Sequence, residues 1–165
     1  KFKKIGTIIS PSLLFQGIAK AANMNIRSVE RATGFAETNF EGKVEAAILE
    51  LKTQDVVYLN IAGAEEVSLK GNIDDKVLTI EDIDSKVIGP LLEKTAAYKN
   101  FKIMVVINHM NSAVDVKYGK DRVPFVMSTK SGTNFFDKFD ENLTNKGNNH
   151  FKSGIELMNV FFDVN

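Results

Sequence analysis

Cysteine is absent from the 165 residues, and with it go disulfides, thiolate metal sites and a thiol nucleophile. An excess of charge of either sign is missing too. Lys+Arg and Asp+Glu both number 21, and no dense basic run stands out, so neither nucleic acid nor an anionic membrane surface is an expected partner. No apolar run approaches the roughly 20 residues needed to span a bilayer. The opening Lys1 to Lys4 is not followed by the apolar stretch of a signal peptide. Taken with the missing cysteines, these features give a cytoplasmic location as the expectation. The chain begins with Lys1 rather than Met, as a processed or partial product would. Histidine is scarce as well: His109 and His150 are the only two.

What is there suits a globular fold. Hydrophobic residues make up 44% and charged residues 25%, and the length suffices for one domain, 1–165, with a core. Short apolar runs alternate with amphipathic helical patterns, which predicts an α/β fold with a mainly parallel sheet flanked by helices. Strands are expected at Lys4 to Ile9, Asn25 to Val29, Val56 to Ile61, Phe101 to Ile107 and Val123 to Ser128. The runs at 56–61 and 101–107 read as buried parallel strands. Ser10-Pro11 has the form of a cap followed by proline at the first helical position, opening a helix to about Ala22. Asn39 caps a second helix, Phe40 to about Lys52, with Val44, Ala47, Ile48 and Leu51 inward. A long helix begins near Asn72, with Val77, Ile80, Ile83, Val87 and Leu91 on one stripe and Gly89-Pro90 expected to kink or divide it. Thr129 to Asn149 reads as a polar loop with one helical turn, and Ser153 to Phe162 as a closing helix.

In open α/β sheets, ligands bind beyond the carboxyl ends of the strands. Three loops leave such ends here: Glu30 to Asn39, Ala62 to Gly71 and Asn108 to Asp121. Those loops, with their neighbours, carry recognisable text. Ala32-Thr33-Gly34-Phe35 followed by Thr38-Asn39-Phe40-Glu41-Gly42-Lys43 is similar to a family stretch written ATGYxxTNYEGK. Ile9-Ser10 with Gly17-Ile18-Ala19 resembles IS…KGIG, and Val57-Tyr58-Leu59-Asn60-Ile61 resembles VYVHV. Lys76, Ile80-Glu81-Asp82-Ile83-Asp84 and Val87-Ile88-Gly89-Pro90-Leu91-Leu92 match K…IExID…VxGPLL. Val123-Pro124-Phe125 matches a VPF, and Gly154, Leu157 and Met158 resemble a final helix. In this order and spacing the chain resembles the C-terminal part of a cofactor-independent phosphoglycerate mutase of the archaeal type. That implies an alkaline phosphatase-like core, here incomplete, because the family's nucleophilic serine, one metal-binding aspartate and its cap domain lie upstream of the matching stretch.

The resemblance also implies a chemistry: phosphoryl transfer through a serine, aided by two divalent metals such as Mn²⁺. Its ligands would come from three motifs in this part. The first, PDxxGH, reads Ala64-Glu65-Glu66-Val67-Ser68-Leu69, with Glu65 for the aspartate and Leu69 for the histidine. The second, Asp-His, reads Asn108-His109. The third ends in a histidine shortly before VPF, and counting places Tyr118 there. Degenerate metal positions are therefore His109, Glu65 and Asn108, and the pattern is that of an inactive relative. No cofactor is expected in that case. Mn²⁺ or Zn²⁺, with phosphoglycerate as substrate, belongs to the alternative in which the chain is part of an active mutase.

Each of these residues also has a plainer role: His109 as a hydrogen-bonded strand-end residue, Glu65-Glu66 as a solvated acidic pair. Arg31 and Lys43, near the Thr-Asn loop, are possible phosphate contacts, or simply surface charge. A sheet lacking its upstream strands leaves an edge or face uncovered, so a protein partner or a second copy of the chain is expected to cover it.

Overall fold

The computed structural model describes residues 2–129, 138–147 and 149–163, arranged as two compact units. The first unit comprises residues 3–97 and 111–117, the second Phe2 with residues 98–110 and 118 onward.

The first unit is built on three parallel strands in the order β2-β1-β3: β1 (Gly6–Ile9) lies between β2 (Asn25–Ile26) and β3 (Val56–Leu59). Thr7 pairs with Asn25 on one side and with Val57 on the other. α1 (Leu13–Ala21) and α2 (Phe40–Glu50) supply the crossovers. Side chains alternate across a strand, and that alternation separates the two helices. Phe15 of α1 stacks near Tyr58, ring centroids 5.6 Å apart, whereas Val57 and Leu59 pack with Ile9, Ala46 and Ala47 beneath α2. Helices thus flank both faces. A second cluster joins Phe40 and Val44 of α2 to Val87. Burying each such side chain contributes about 1.5–3 kcal/mol.

The expected strands and helices are present, with four differences. Ser10 does not cap α1. Its hydroxyl donates to Asn60 Oδ1 (3.0 Å) and accepts from the Ser12 amide (3.1 Å), and the helix starts two residues later, at Leu13. Asn39, in contrast, caps α2 as expected, its Oδ1 accepting from the Gly42 amide at 2.8 Å.

Residues 62–71, expected as a loop, contain α3 (Gly63–Leu69). Ala, Glu and Leu are good helix formers, and that propensity prevails here. α4 (Ile73–Ile83) continues through a π-helical turn (Asp84–Ile88) into α5 (Gly89–Thr95). Pro90 neither breaks nor divides it; instead the Gly89 amide donates to the Asp84 carbonyl five residues back. The wide turn shifts the buried stripe to Thr79, Ile83, Val87 and Leu91, so Val77 and Ile80 face solvent.

The fourth difference concerns the second unit. β4 (Lys102–Val106), expected as a buried parallel strand, pairs antiparallel with β7 (Phe125–Thr129), Met104 opposite Met127, and is only half-buried. An apolar, β-branched run specifies a strand but not its partner. Between them lie β5 (Asn111–Ser112) and β6 (Lys117–Tyr118). Beyond β7 come α6 (Leu143–Lys146) and α7 (Gly154–Phe161), the expected closing helix, with Ser153 as its cap rather than its first residue. Part of the polar 129–149 segment, residues 130–137 and 148, lies outside the described residues. Phe125 meets Phe151 at 5.5 Å between centroids, Phe2 meets Phe162 at 4.8 Å, and Lys102 pairs with Asp163 at 2.8 Å. Among the described residues no helix is long and apolar enough to cross a membrane.

Candidate functional site

The segment after β3 forms α3, and its geometry follows from its ends. Gly63 lies against the 35–36 backbone so closely that a Cβ there would meet Phe35 O and Ala36 Cα at 2.9 Å. Val67 and Ser68 are buried, and the Ser68 hydroxyl donates to Ala64 O (2.8 Å). Glu65 sits in the first turn and is half-buried. Glu66 pairs with Lys70 one turn on, so the two acidic neighbours do not act as a matched pair. Leu69 is the last helical residue and carries only hydrocarbon where a ligating imidazole would be needed.

Asn108 and His109 follow β4 in the second unit. The Asn108 amide nitrogen stands 3.0 Å from His109 Nδ1. Tyr118 places its ring edge-on to that imidazole, with centroids 4.6 Å apart and planes at 68°. The second unit thus brings Asn108, His109 and Tyr118 together, while Glu65 folds with the first unit.

The donor set does not fit a two-metal centre. Such ions need charged oxygens and imidazoles. By residue type the candidate set offers one imidazole with one nitrogen engaged by an amide, one carboxylate (Glu65), one uncharged amide, one phenol and a leucine. Among the described residues no group of three or more His, Asp or Glu side chains is placed to hold a metal ion.

The two basic candidates separate. Arg31 is exposed, with a left-handed backbone (φ 57°). Lys43 is the opposite: at 1% exposure it is among the most buried side chains of the chain, set in the first turn of α2. Its ammonium donates to Thr33 O at 3.1 Å. Burial without a carboxylate partner lowers its pKa from 10.5 to about 8. Lys43 lines a cavity of about 220 Å³ with Ser10, Gln16, Arg27 and Ser28. Arg27, not Arg31, is therefore its basic neighbour. Sequence reading passed over Arg27 because it sits just beyond β2, whose two residues end before the expected strand does.

The metalloenzyme superfamily, compared as a family, matches residues 1–158. The chain belongs to this superfamily. It is 32% identical over 162 residues to the 2,3-bisphosphoglycerate-independent phosphoglycerate mutase of Methanosarcina barkeri, a match covering 96% of this chain and 41% of that protein. It is likewise 32% identical over 165 residues to a probable 2,3-bisphosphoglycerate-independent phosphoglycerate mutase of Geobacter sulfurreducens, covering 99% of this chain and 41% of that one. A solved structure from Pyrococcus horikoshii has the same fold, with a TM-score of 0.81 over 99% of this chain and 49% of the other, at 22% identity. The motif resemblance to archaeal mutases thus extends over nearly the whole chain, and the α/β fold with a parallel sheet flanked by helices is that of the superfamily. The chain spans about two-fifths of the length of the curated relatives it matches.

Proposed function

We propose that this superfamily member is a phosphoglycerate mutase-like module with no catalytic activity of its own, retained as a structural or interaction subunit. What supports this reading is the donor set: where the family resemblance implies imidazole ligands the chain has Leu69 and, by counting, Tyr118, and where it implies a carboxylate it has Asn108. Phosphoryl transfer in this class depends on cations to stabilise the charge on the transferring group. A site that cannot hold them loses that stabilisation, and the scaffold does not restore it.

The interaction role draws on apolar surface. In the second unit Val106, Val126, Ile155 and Val160 are exposed, and in the first unit Leu13, Leu14 and Ile18 of α1. Such surface is the substrate for association. The occupant is another protein, with a second copy of this chain as the other outcome of a size measurement.

The competing reading makes the chain part of an active metal-dependent mutase that interconverts 2- and 3-phosphoglycerate. It draws on the retained His109 and on the relatives' names, and it requires Mn²⁺ or Zn²⁺ at Glu65, Asn108 and His109. The competing reading also requires the upstream half with the nucleophilic serine, so elemental analysis of the natively purified protein, followed by a mutase assay with added Mn²⁺ and that half, decides between the two. The expected result is substoichiometric metal and no turnover. Stoichiometric metal with turnover that vanishes in His109→Ala would overturn the non-catalytic reading.

A further inference from the structure

Lys43 poses an electrostatic question that the metal motifs do not answer. A buried ammonium is costly unless it is paired and hydrogen-bonded. Here it has three donors, and among the described residues only one is used, on Thr33 O. None of the ion pairs of the described residues includes Lys43. The cavity it lines holds far more than one water, whose share of liquid volume is about 30 Å³.

The other charged group on that wall is also a cation with capacity to spare. Arg27 has one long contact, Nε to Glu50 Oε1 at 3.9 Å, and Glu50 is already engaged by the Thr7 hydroxyl at 2.8 Å. Arg27 lines the cavity, and its side chain is 47% exposed. The Ser28 hydroxyl, beside it, makes no hydrogen bond among the described residues. The Gln16 amide nitrogen is spent on Ser10 O at 3.1 Å, which leaves its carbonyl oxygen. No carboxylate lines this cavity. The adjoining cavity, about 290 Å³, shares Arg27 and Ser28 but adds Glu30 and Glu45. The sign of charge therefore distinguishes two neighbouring spaces: one suits an anion and the other repels it.

We propose that the cavity lined by Lys43, Arg27 and Ser28 is a binding site for a small tetrahedral oxyanion, either inorganic phosphate or the phosphate group of a phosphomonoester. The chemistry is complementary at each contact. Guanidinium offers paired N–H donors matched to two oxygens, ammonium a point charge from below, and serine a neutral donor. The bound anion supplies the counter-charge that the buried Lys43 lacks. The site needs no metal and no turnover, so it goes beyond the non-catalytic reading and stands or falls apart from it.

Calorimetric titration of the full chain with inorganic phosphate, and in parallel with glycerol 3-phosphate, tests the site. Saturable binding is expected, weakened at least tenfold by Lys43→Met and severalfold by Arg27→Gln, and unchanged by Glu45→Gln in the adjoining cavity. Tighter binding of glycerol 3-phosphate would mark an organic phosphate as the occupant, and equal binding the free anion. Lys43→Met keeps the buried volume, and its fold is checked by circular dichroism. Should that variant not fold, the exposed Arg27→Gln carries the test. No saturable binding of either anion by the wild type, or wild-type affinity in folded Lys43→Met, would overturn the proposal.

Discussion

The two compact units of this chain treat apolar residues differently. The fully buried hydrophobic side chains, among them Ile8, Ile9, Phe40, Val44, Val67 and Val87, all belong to the first unit. There, helices cover a parallel sheet on both faces. The second unit has strands just as rich in valine and isoleucine, but Val106 and Val126 stay 44% and 40% exposed. Apolar composition makes a strand, and only a covering layer makes a core. Among the described residues, the buried core therefore lies in the first unit, while the strands of the second stay partly exposed. The largest expected effect follows directly. Phe40→Ala should cost about 3–5 kcal/mol by leaving a cavity, whereas Val126→Ala should stay within about 0.5 kcal/mol, as surface changes do. Denaturant midpoints at constant m-value measure both, and comparable losses would erase the distinction between the units.

A second comparison sets the scaffold against the metal chemistry proposed to be lost from it. His109 and Tyr118 already hold their rings 4.6 Å apart, with Asn108 beside them. Replacing Asn108→Asp and Tyr118→His together would give that cluster a carboxylate and a second imidazole on an unchanged frame. Zn²⁺ affinity should then rise on the order of a hundredfold over the wild type, since three charged or imidazole donors suffice for an open site. Competition with a colorimetric chelator reads this. Wild-type affinity equal to that of the double variant would mean that Tyr118 and Asn108 do not limit metal binding here.

Much of this was legible in the residues. The cap at Asn39, the helix from Asn72 and the closing helix from Ser153 depend on local signals, an Asx or serine side chain beside free amides, and such signals hold wherever the segment is placed. Parallel strands 6–9 and 56–59 were legible as apolar runs. What was not legible depended on partners. The antiparallel pairing of 102–106 is decided by residues 19 to 27 positions away. The stripe through Thr79 and Val87 depends on a single wide turn, invisible to a count at 3.6 residues per turn. At the candidate sites, the departures from the family motifs could be read directly from Leu69 and Asn108. The burial of Lys43 could not, because a lysine in a polar helix start has the composition of a surface residue; only the folded loop 30–39 shows it enclosed, with Arg27 rather than Arg31 alongside.

That buried lysine gives the smallest and most specific prediction. Its pKa falls from 10.5 to about 8 because burial disfavours the charged form. Below pH 8 both folded and unfolded chains carry the proton, and the desolvation cost is fully present. Between pH 8 and 10.5 the unfolded chain binds a proton that the folded chain does not, so stability should rise with pH across that window. At about 1.4 kcal/mol per pKa unit the rise amounts to a few kcal/mol at most. Tyr58 opposes it at the alkaline end: burial raises its pKa above 10.0, so ionisation favours the unfolded chain there and stability falls. The clean interval is therefore pH 8 to 10, followed by thermal unfolding of the wild type against Lys43→Met. A positive slope in the wild type that flattens in the variant places the titration on Lys43. Parallel slopes would place it elsewhere, and the first unit's buried cation would then be held by contacts strong enough to keep its proton.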